Sequence, residues 1–234
     1  MIHRSILDTV GKTPVVKLSK VEELTGFHIL VKLESFNPGG SIKDRAALAM
    51  ITRAEHDGLL EPNGTIVEST SGNLGKSLAL IGAVKGYRVV IVVDPKTPSS
   101  VLRFVRSLGA DIDMVRTPDE DGGYQRPRRA RVRELLATIP GAFCPDQYDN
   151  PVNPLAHATT TTATELLADV PEFDTLVAAV STGGHLSGLA STVKKRLRPG
   201  TEPGEPRRHQ LDHPLHRRRQ VDRGRRPVDS RSRT

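Results

Sequence analysis

The chain has 234 residues and a formal net charge of +7, and with 3% aromatic residues and no Trp its core must consist mainly of Val, Leu, Ile and Ala. The single cysteine, Cys144, excludes an internal disulfide framework and a Cys-cluster zinc site, so we expect a reducing compartment and no metal site. No signal-peptide segment follows Met1, and no run approaches the roughly 20 apolar residues of a membrane span, so we expect a cytoplasmic protein without a membrane partner.

From residue 41 onward, helix patterns and strand patterns alternate along the chain. This alternation predicts an α/β fold with doubly wound, mostly parallel sheets. Ligands of such sheets bind beyond the carboxyl ends of the strands, where loops lead into helix N-termini. The predicted helices are 41–55, 74–85, 99–108, one around 132–137, one near 155–167 and 186–197, and the predicted strands are 65–68, 88–93, 111–115 and 175–180.

The first segment with a chemical signature is SFNPGGSIKDR, residues 35–45. Ser41 and Asp44 have the spacing of a capping box, with Ser41 as the N-cap. Lys43 then lies in the first helical turn, where the helix dipole disfavours an ammonium group. A lysine that loses its proton easily can form a Schiff base with an aldehyde. The alternative is a surface lysine behind an ordinary helix cap.

The second segment is TSGNLGKS, residues 70–77, between a predicted strand and a predicted helix. A P-loop and a dinucleotide-binding fingerprint both nearly fit, and both require Gly where Thr70 stands. We therefore reject a nucleotide-binding protein as the main hypothesis. Thr70, Ser71 and the helix N-terminus can instead hold a small carboxylate. An ordinary N-cap loop is the alternative.

The third segment is the strand-to-helix loop Ser181-Thr182-Gly183-Gly184-His185. Its glycines, hydroxyl groups and helix N–H groups suit a phosphate dianion, and we assign His185 no acid or base role. A lysine for an aldehyde, a loop for a carboxylate and a cradle for a phosphate describe pyridoxal phosphate (PLP) holding an amino acid.

The motifs NPGGSIKDR, STSGNLG and VSTGGHLSG resemble those of the fold-type II PLP enzymes of the cysteine synthase family, from about Ser5 to about Arg198. The resemblance implies that Lys43 binds the cofactor aldehyde and acts as the catalytic base, and that Asn73 hydrogen-bonds the cofactor ring hydroxyl. The implied phosphate-binding residues are Ser181, Thr182, Gly183, Gly184 and His185. The implied substrate-binding residues are Thr70, Ser71, Gly72, Asn73, Leu74 and Gln147.

The same resemblance implies a tryptophan synthase β-like architecture with two doubly wound parallel-sheet domains. The expected small domain is 41–146, and residues 1–40 plus 147–200 form an incomplete large domain. Small amino-acid substrates and a homodimer are also implied.

Departures from the family pattern narrow the expected reaction. Leu74 and the segment Asp121-Gly122-Gly123-Tyr124 look more like the 2,3-diaminopropionate branch of the family. Enzymes of that branch join O-phospho-L-serine to L-glutamate. The product, N-(2-amino-2-carboxyethyl)-L-glutamate, is used for siderophore or peptide antibiotic synthesis. A cysteine synthase using O-acetylserine or O-phosphoserine with sulfide is the runner-up. The following arginines suit acidic substrates, with a solvated helix face as the alternative; they are Arg126, Arg128, Arg129, Arg131 and Arg133.

The composition changes abruptly after Arg198-Pro199-Gly200. Residues 201–234 hold ten Arg and five acidic residues, a net +5, and we expect a basic disordered tail there. Because family members continue with further strands, a truncated or frameshifted reading frame is one interpretation and a natural tail on a shortened enzyme is another. An inactive remnant stays a third hypothesis. We do not favour nucleic-acid binding by the basic run 217–219.

Overall fold

A computed structural model describes residues 2–197 of the protein. The strands are β1 (Val15–Lys17), β2 (Leu30–Lys32), β3 (Thr65–Ser69), β4 (Arg88–Val93), β5 (Asp111–Met114) and β6 (Ala142–Phe143). The central sheet has four parallel strands in the order β5-β4-β3-β6, and a separate antiparallel sheet pairs β1 with β2. The α-helices are α1 (Ser19–Thr25), α2 (Lys43–His56), α3 (Asn73–Lys85), α4 (Ser99–Ser107), α5 (Gln125–Thr138), α6 (Val152–Leu155), α7 (Thr162–Asp169) and α8 (Gly184–Leu197).

The parallel sheet is covered on both faces, which explains why β4 is apolar at nearly every position. Ile91 and Val93 of β4 pack into one core with side chains of α2 and α3. Val90 and Val92 point to the opposite face and pack with Val132 of α5. The α/β class with parallel strands, predicted from the alternation of helix and strand patterns, is confirmed.

Helix ends follow local sequence signals closely. Helix α3 ends at Gly86, whose left-handed backbone (φ 79°) donates an N–H bond to the carbonyl of Gly82. Gly82 itself has no space for a side chain, because a Cβ there would lie 2.3 Å from Val89 of β4. The predicted helix near 155–167 forms as two α-helices, α6 and α7, joined by a π-helical turn (Ala156–Thr160).

The predicted strand 175–180 is wrong, because residues 175–180 form no regular element. A strand needs a hydrogen-bonded neighbour, and within residues 2–197 no strand pairs with this segment. Val177 and Val180 are consequently 88% and 63% exposed.

The chain separates into one unit up to Pro199 and another from Gly200. The finer division into residues 1–40 plus 147–200 and 41–146 stays a prediction, and the predicted disordered tail at 201–234 lies outside the described residues. In the part of the chain that the structure describes, no helix is long and apolar enough to cross a membrane.

Candidate cofactor and amino-acid site

Lys43 is the first residue of α2 and is half-buried. Its backbone N–H donates to the Ser41 hydroxyl at 3.2 Å. Burial lowers the pKa of the Lys43 ammonium group, because removal from water disfavours the charged form. A lysine in this position more readily supplies the neutral amine that attacks an aldehyde.

The predicted capping box at Ser41 and Asp44 is wrong, because Ile42 and not Ser41 is the N-cap of α2. The buried Asp44 carboxylate accepts the N–H of Gly39 at 2.6 Å and the hydroxyl of Ser77, rather than the N–H of Ser41. The chain before α2 turns back over the start of the helix and places Gly39 against the Asp44 carboxylate. A Cβ at Gly39 would lie only 2.3 Å from Asp44 Oδ1. Asp44 therefore fixes the loop before Lys43 against α3.

The loop at the carboxyl end of β3 has a buried anchor and an accessible tip. Thr70 is buried, its N–H donates to the carbonyl of Val92, and its hydroxyl accepts the N–H of Gly72 at 3.3 Å. Ser71 and Gly72 are half-buried and Asn73 is exposed. The hydroxyl of Ser71, the amide of Asn73 and the first N–H groups of α3 are thus available to a ligand.

Leu74 makes a different contribution from its neighbours in this loop. Its side chain is 2% exposed and packs in the core with Ile91 and Leu78. Only its backbone N–H is left for a substrate carboxylate. The Leu74 side chain therefore contributes to core packing beneath the loop and does not contact a ligand.

Gln147 is joined to the glycine loop through a residue that sequence reasoning missed, Asn153 of α6. The backbone carbonyl of the buried Gln147 accepts a hydrogen bond from Asn153 Nδ2 at 2.8 Å. The Asn153 amide lies directly against Gly184, where a Cβ would be 2.6 Å from Oδ1. Asn153 Oδ1 is buried without a hydrogen-bond partner. The polar residue between two prolines in Asn150–Pro154 is the signal that could have identified it.

The Ser181–His185 loop leads into the 14-residue helix α8, and Gly184 is its first residue. Ser181 is exposed, Thr182 is half-buried, and Gly183 has a left-handed backbone (φ 87°). The first N–H groups of α8 are available to an anion. The His185 ring faces the Ala179 carbonyl, but burial outweighs that contact and lowers the pKa of His185.

His157, in the π-helical turn, is a second residue that sequence reasoning missed. It is 1% exposed, its Nδ1 lies 2.9 Å from the Thr162 hydroxyl, and its ring packs edge-to-face on His185 with 5.2 Å between centroids. Burial, followed by the charges of His185 and Lys43, lowers the pKa of His157 to about 3. Helix α2 contacts the π-helical turn that holds His157, and His157 packs on His185 near the start of α8, so these three elements are joined at one place.

Four of the five arginines of α5, all except Arg133, lie in ion pairs with acidic side chains of the same chain, which favours a structural role over substrate binding for these four. One of these ion pairs is nearly buried: Arg128 Nη1 lies 3.3 Å from Asp94 Oδ2. The other pairs are Arg126 with Asp119 and Asp121, Arg129 with Asp146 and Asp149, and Arg131 with Asp113 and Glu134.

Residues 6–207 match the family model described as pyridoxal-phosphate dependent enzyme. The chain belongs to the pyridoxal-phosphate dependent enzyme family. PLP is the cofactor of that family, as the three loops predicted. This result also removes the nucleotide-binding alternatives for residues 70–77.

Solved structures of this family resemble the chain closely. O-ureido-L-serine synthase is 38% identical with a TM-score of 0.75, over 83% of this chain and 60% of that protein. Its K43A mutant with bound O-ureido-L-serine is 37% identical with a TM-score of 0.75, over 83% and 59%. A hydrogen sulfide-producing enzyme from Fusobacterium nucleatum is 36% identical with a TM-score of 0.78, over 84% and 63%. The chain thus spans about three fifths of the length of these proteins.

The residues present fit the PLP of this family. Lys43 offers an amine of lowered pKa for the aldehyde, and Asn73 offers an exposed amide at the start of α3. Gly183 and Gly184 bring no side chain to the start of α8, where N–H groups and the helix dipole favour a phosphate. Ser181, Thr182 and His185 complete that loop.

We predict that Gly184→Ala weakens PLP retention by about tenfold or more, since the new Cβ would collide with Asn153 and displace the start of α8. The loss can be measured by dialysis against decreasing PLP concentrations. Gly109→Ala is the control for backbone strain outside the site: its left-handed backbone (φ 79°) disfavours Ala, but the new Cβ would meet no described atom within 4 Å, so PLP retention should not change. Equal PLP retention by Gly184→Ala and the parent chain would contradict the prediction.

Proposed function

We propose that the protein catalyses a PLP-dependent β-replacement on an activated L-serine. The observation that supports the proposal is that α2, which begins at Lys43, contacts the turn of His157, and that His157 packs on His185 of the expected phosphate loop. Asn153 also links Gln147 to Gly184. A lysine, a carboxylate loop and a phosphate cradle in one site are what this reaction needs.

Each loop has one task in this proposal. Lys43 would hold the cofactor aldehyde, and its Nζ would accept the proton from the substrate Cα. Bound PLP would supply the electron sink that permits loss of the Cβ leaving group and addition of a nucleophile. Thr70, Ser71, Gly72, Leu74 N–H and Gln147 orient the substrate carboxylate. Asn73 binds the cofactor ring hydroxyl, and the phosphate-binding group is Ser181, Thr182, Gly183, Gly184 and His185.

Our preferred substrates are O-phospho-L-serine and L-glutamate, which give N-(2-amino-2-carboxyethyl)-L-glutamate for 2,3-diaminopropionate, and thereby siderophore, biosynthesis. This choice depends on the resemblance at Leu74 and residues 121–124, and it no longer draws support from the ion-paired arginines of α5. Sulfide as the nucleophile is the second candidate. The named activity of the Fusobacterium nucleatum structure favours it.

The test is a matrix of two activated serines and two nucleophiles. The chain, supplied with PLP, is incubated with O-phospho-L-serine or O-acetyl-L-serine and with L-glutamate or sulfide, and products are separated by mass. We expect the phosphoserine and glutamate pair to give the highest kcat/KM. A preference for sulfide supports the cysteine synthase alternative, and PLP binding without turnover of any pair supports the inactive remnant.

The proposal includes assembly and location. We infer a cytoplasmic homodimer from the family resemblance, and sedimentation of the PLP-bound chain tests the oligomeric state. A mass of about 25.5 kDa, that of one chain, would contradict the dimer.

A further inference from the structure

Glu68 is a buried carboxyl group that the proposed reaction does not use. It lies in β3, within the apolar strand TIVES, and is 2% exposed. Its Oε1 accepts the N–H of Ser69 at 2.8 Å, whereas Oε2 is buried and has no hydrogen-bond partner within residues 2–197. A buried polar atom without a partner is costly and calls for an explanation beyond packing.

The chain that follows β6 runs past this carboxyl group. β3 and β6 are parallel neighbours, with Ile66 opposite Phe143, so the residues that follow β6 pass the end of β3 near Glu68. The backbone N–H groups of Asp146 and Gln147 act to lower the pKa of Glu68, and Oε2 still has no hydrogen-bond partner among the described residues. Asp146 has a left-handed backbone (φ 45°), which few residues other than Gly adopt without support.

Gln147 is therefore approached from both sides of its backbone. Its N–H acts to lower the pKa of Glu68, and its carbonyl oxygen accepts a hydrogen bond from Asn153 Nδ2 at 2.8 Å. With both backbone groups engaged and 8% of the residue exposed, the direction of the Gln147 side chain depends on these two contacts.

We propose that Glu68 is a positioning residue of the amino-acid site, holding the turn at Asp146 and Gln147 so that the Gln147 amide meets the substrate carboxylate. The inference rests on the proposed function of Gln147.

The charge of Glu68 changes near neutral pH. Burial raises its pKa to about 7, and the Asp146 carboxylate also raises it. The other ionisable groups on the packed elements are Cys144, whose pKa burial raises to about 12, and Arg129 of α5, which lies 3.9 Å from the Asp146 carboxylate. The Cys144 thiol stays protonated near pH 7 because its pKa is raised to about 12. The turn at 146–147 should consequently tighten as the pH rises through about 7.

The chain has no Trp, so Tyr148→Trp places a single fluorescent reporter next to Gln147. Tyr148 is 40% exposed and lies 5.7 Å from Arg129, a contact that Trp preserves. In the chain without PLP, we expect the emission of this introduced indole to shift with a midpoint near pH 7. Adding Glu68→Gln, which mimics the protonated carboxyl group, should abolish the shift.

Asp146→Asn is the matched control for the neighbouring carboxylate. It should keep the emission shift and move its midpoint to lower pH, because the Asp146 charge raises the pKa of Glu68. A shift that persists with Glu68→Gln, or one that disappears only with Asp146→Asn, would overturn the proposal.

A second arm measures O-phospho-L-serine binding from the spectrum of the PLP-bound chain. At pH 8 we expect Glu68→Gln to raise Kd about tenfold, about 1.4 kcal/mol, with PLP affinity within about twofold of the parent. At pH 6 the two proteins should differ little, because the parent carboxyl group is then protonated. An equal Kd at pH 8 would overturn the proposal. Failure of both proteins to bind any amino acid would instead reject the proposed function, with the emission shift still deciding whether Glu68 holds the turn.

Discussion

Substitution of Lys43 by Ala should abolish the visible absorbance that the chain acquires with PLP and lower turnover by about 10²–10⁴-fold or more. Lys43 combines a half-buried amine, a position in the first turn of α2 and a pKa lowered by burial. It also lies close enough to His157 and His185 to lower the pKa of both rings. Absorbance spectra of the two dialysed proteins with added PLP provide the measurement.

Lys76→Ala is the matched control for this experiment. Lys76 lies one turn into α3, beside the other half of the site, and its Nζ is 4.9 Å from the centre of the Phe104 ring. Because that contact directs the ammonium group to an aromatic ring, we expect the absorbance of Lys76→Ala to match that of the parent. Absorbance that survives Lys43→Ala, or that is lost with Lys76→Ala, would reject Lys43 as the lysine that binds PLP.

Substitution of Arg45 by Met should destabilise the fold by about 3–5 kcal/mol, because it leaves two carboxylates without their buried partner. The Arg45 side chain is fully buried two residues after Lys43. Its guanidinium group donates to Glu34 at 2.7 and 2.9 Å and to both Glu165 oxygens at 2.7 Å. It thereby ties α2 to the β2 region and to α7. Urea unfolding at pH 7 measures the loss.

Arg53→Met is a control on the same helix. Arg53 pairs with Asp57 across one turn, but 63% of its side chain is exposed, so its removal should cost less than about 1 kcal/mol. Similar losses for Arg45→Met and Arg53→Met would show that the buried cluster contributes no more than a surface pair.

The Arg45 cluster also predicts a loss of stability in acid. Burial acts to raise the pKa of Glu165, but hydrogen bonds from Arg45, Lys12 and Lys32 outweigh it and lower the pKa to about 2. Glu34 likewise has a lowered pKa, mainly through Arg45 acting against burial. Their stabilisation is complete above the ordinary value of 4.5 and is lost as the pH falls toward about 2. Unfolding at pH 3 and pH 7 should show this loss in the parent and a smaller one in Arg45→Met.

Local signals in the sequence were sufficient for the βα units from α2 to β5. The continuous apolar run RVVIVV predicts a strand covered on both faces, and β4 is one. Gly86 marks the end of α3 through its left-handed backbone. The same reasoning failed at 175–180, where an apolar pattern is present but no described strand pairs with it. Apolar periodicity reports what a segment can bury, whereas a strand also requires a neighbour.

The sequence by itself determined the α/β class and the family, and it predicted the three ligand-binding loops, because the polar and glycine residues of each loop are consecutive in the chain. Only the tertiary structure decided that the Leu74 side chain belongs to the core, and that Asp44 binds Gly39 and Ser77 instead of capping with Ser41. It also brought in Glu68, Asn153 and His157, whose partners are distant in sequence or belong to another element. The physical reason is that burial and charge environment arise from packing between elements, which no single segment of the chain specifies.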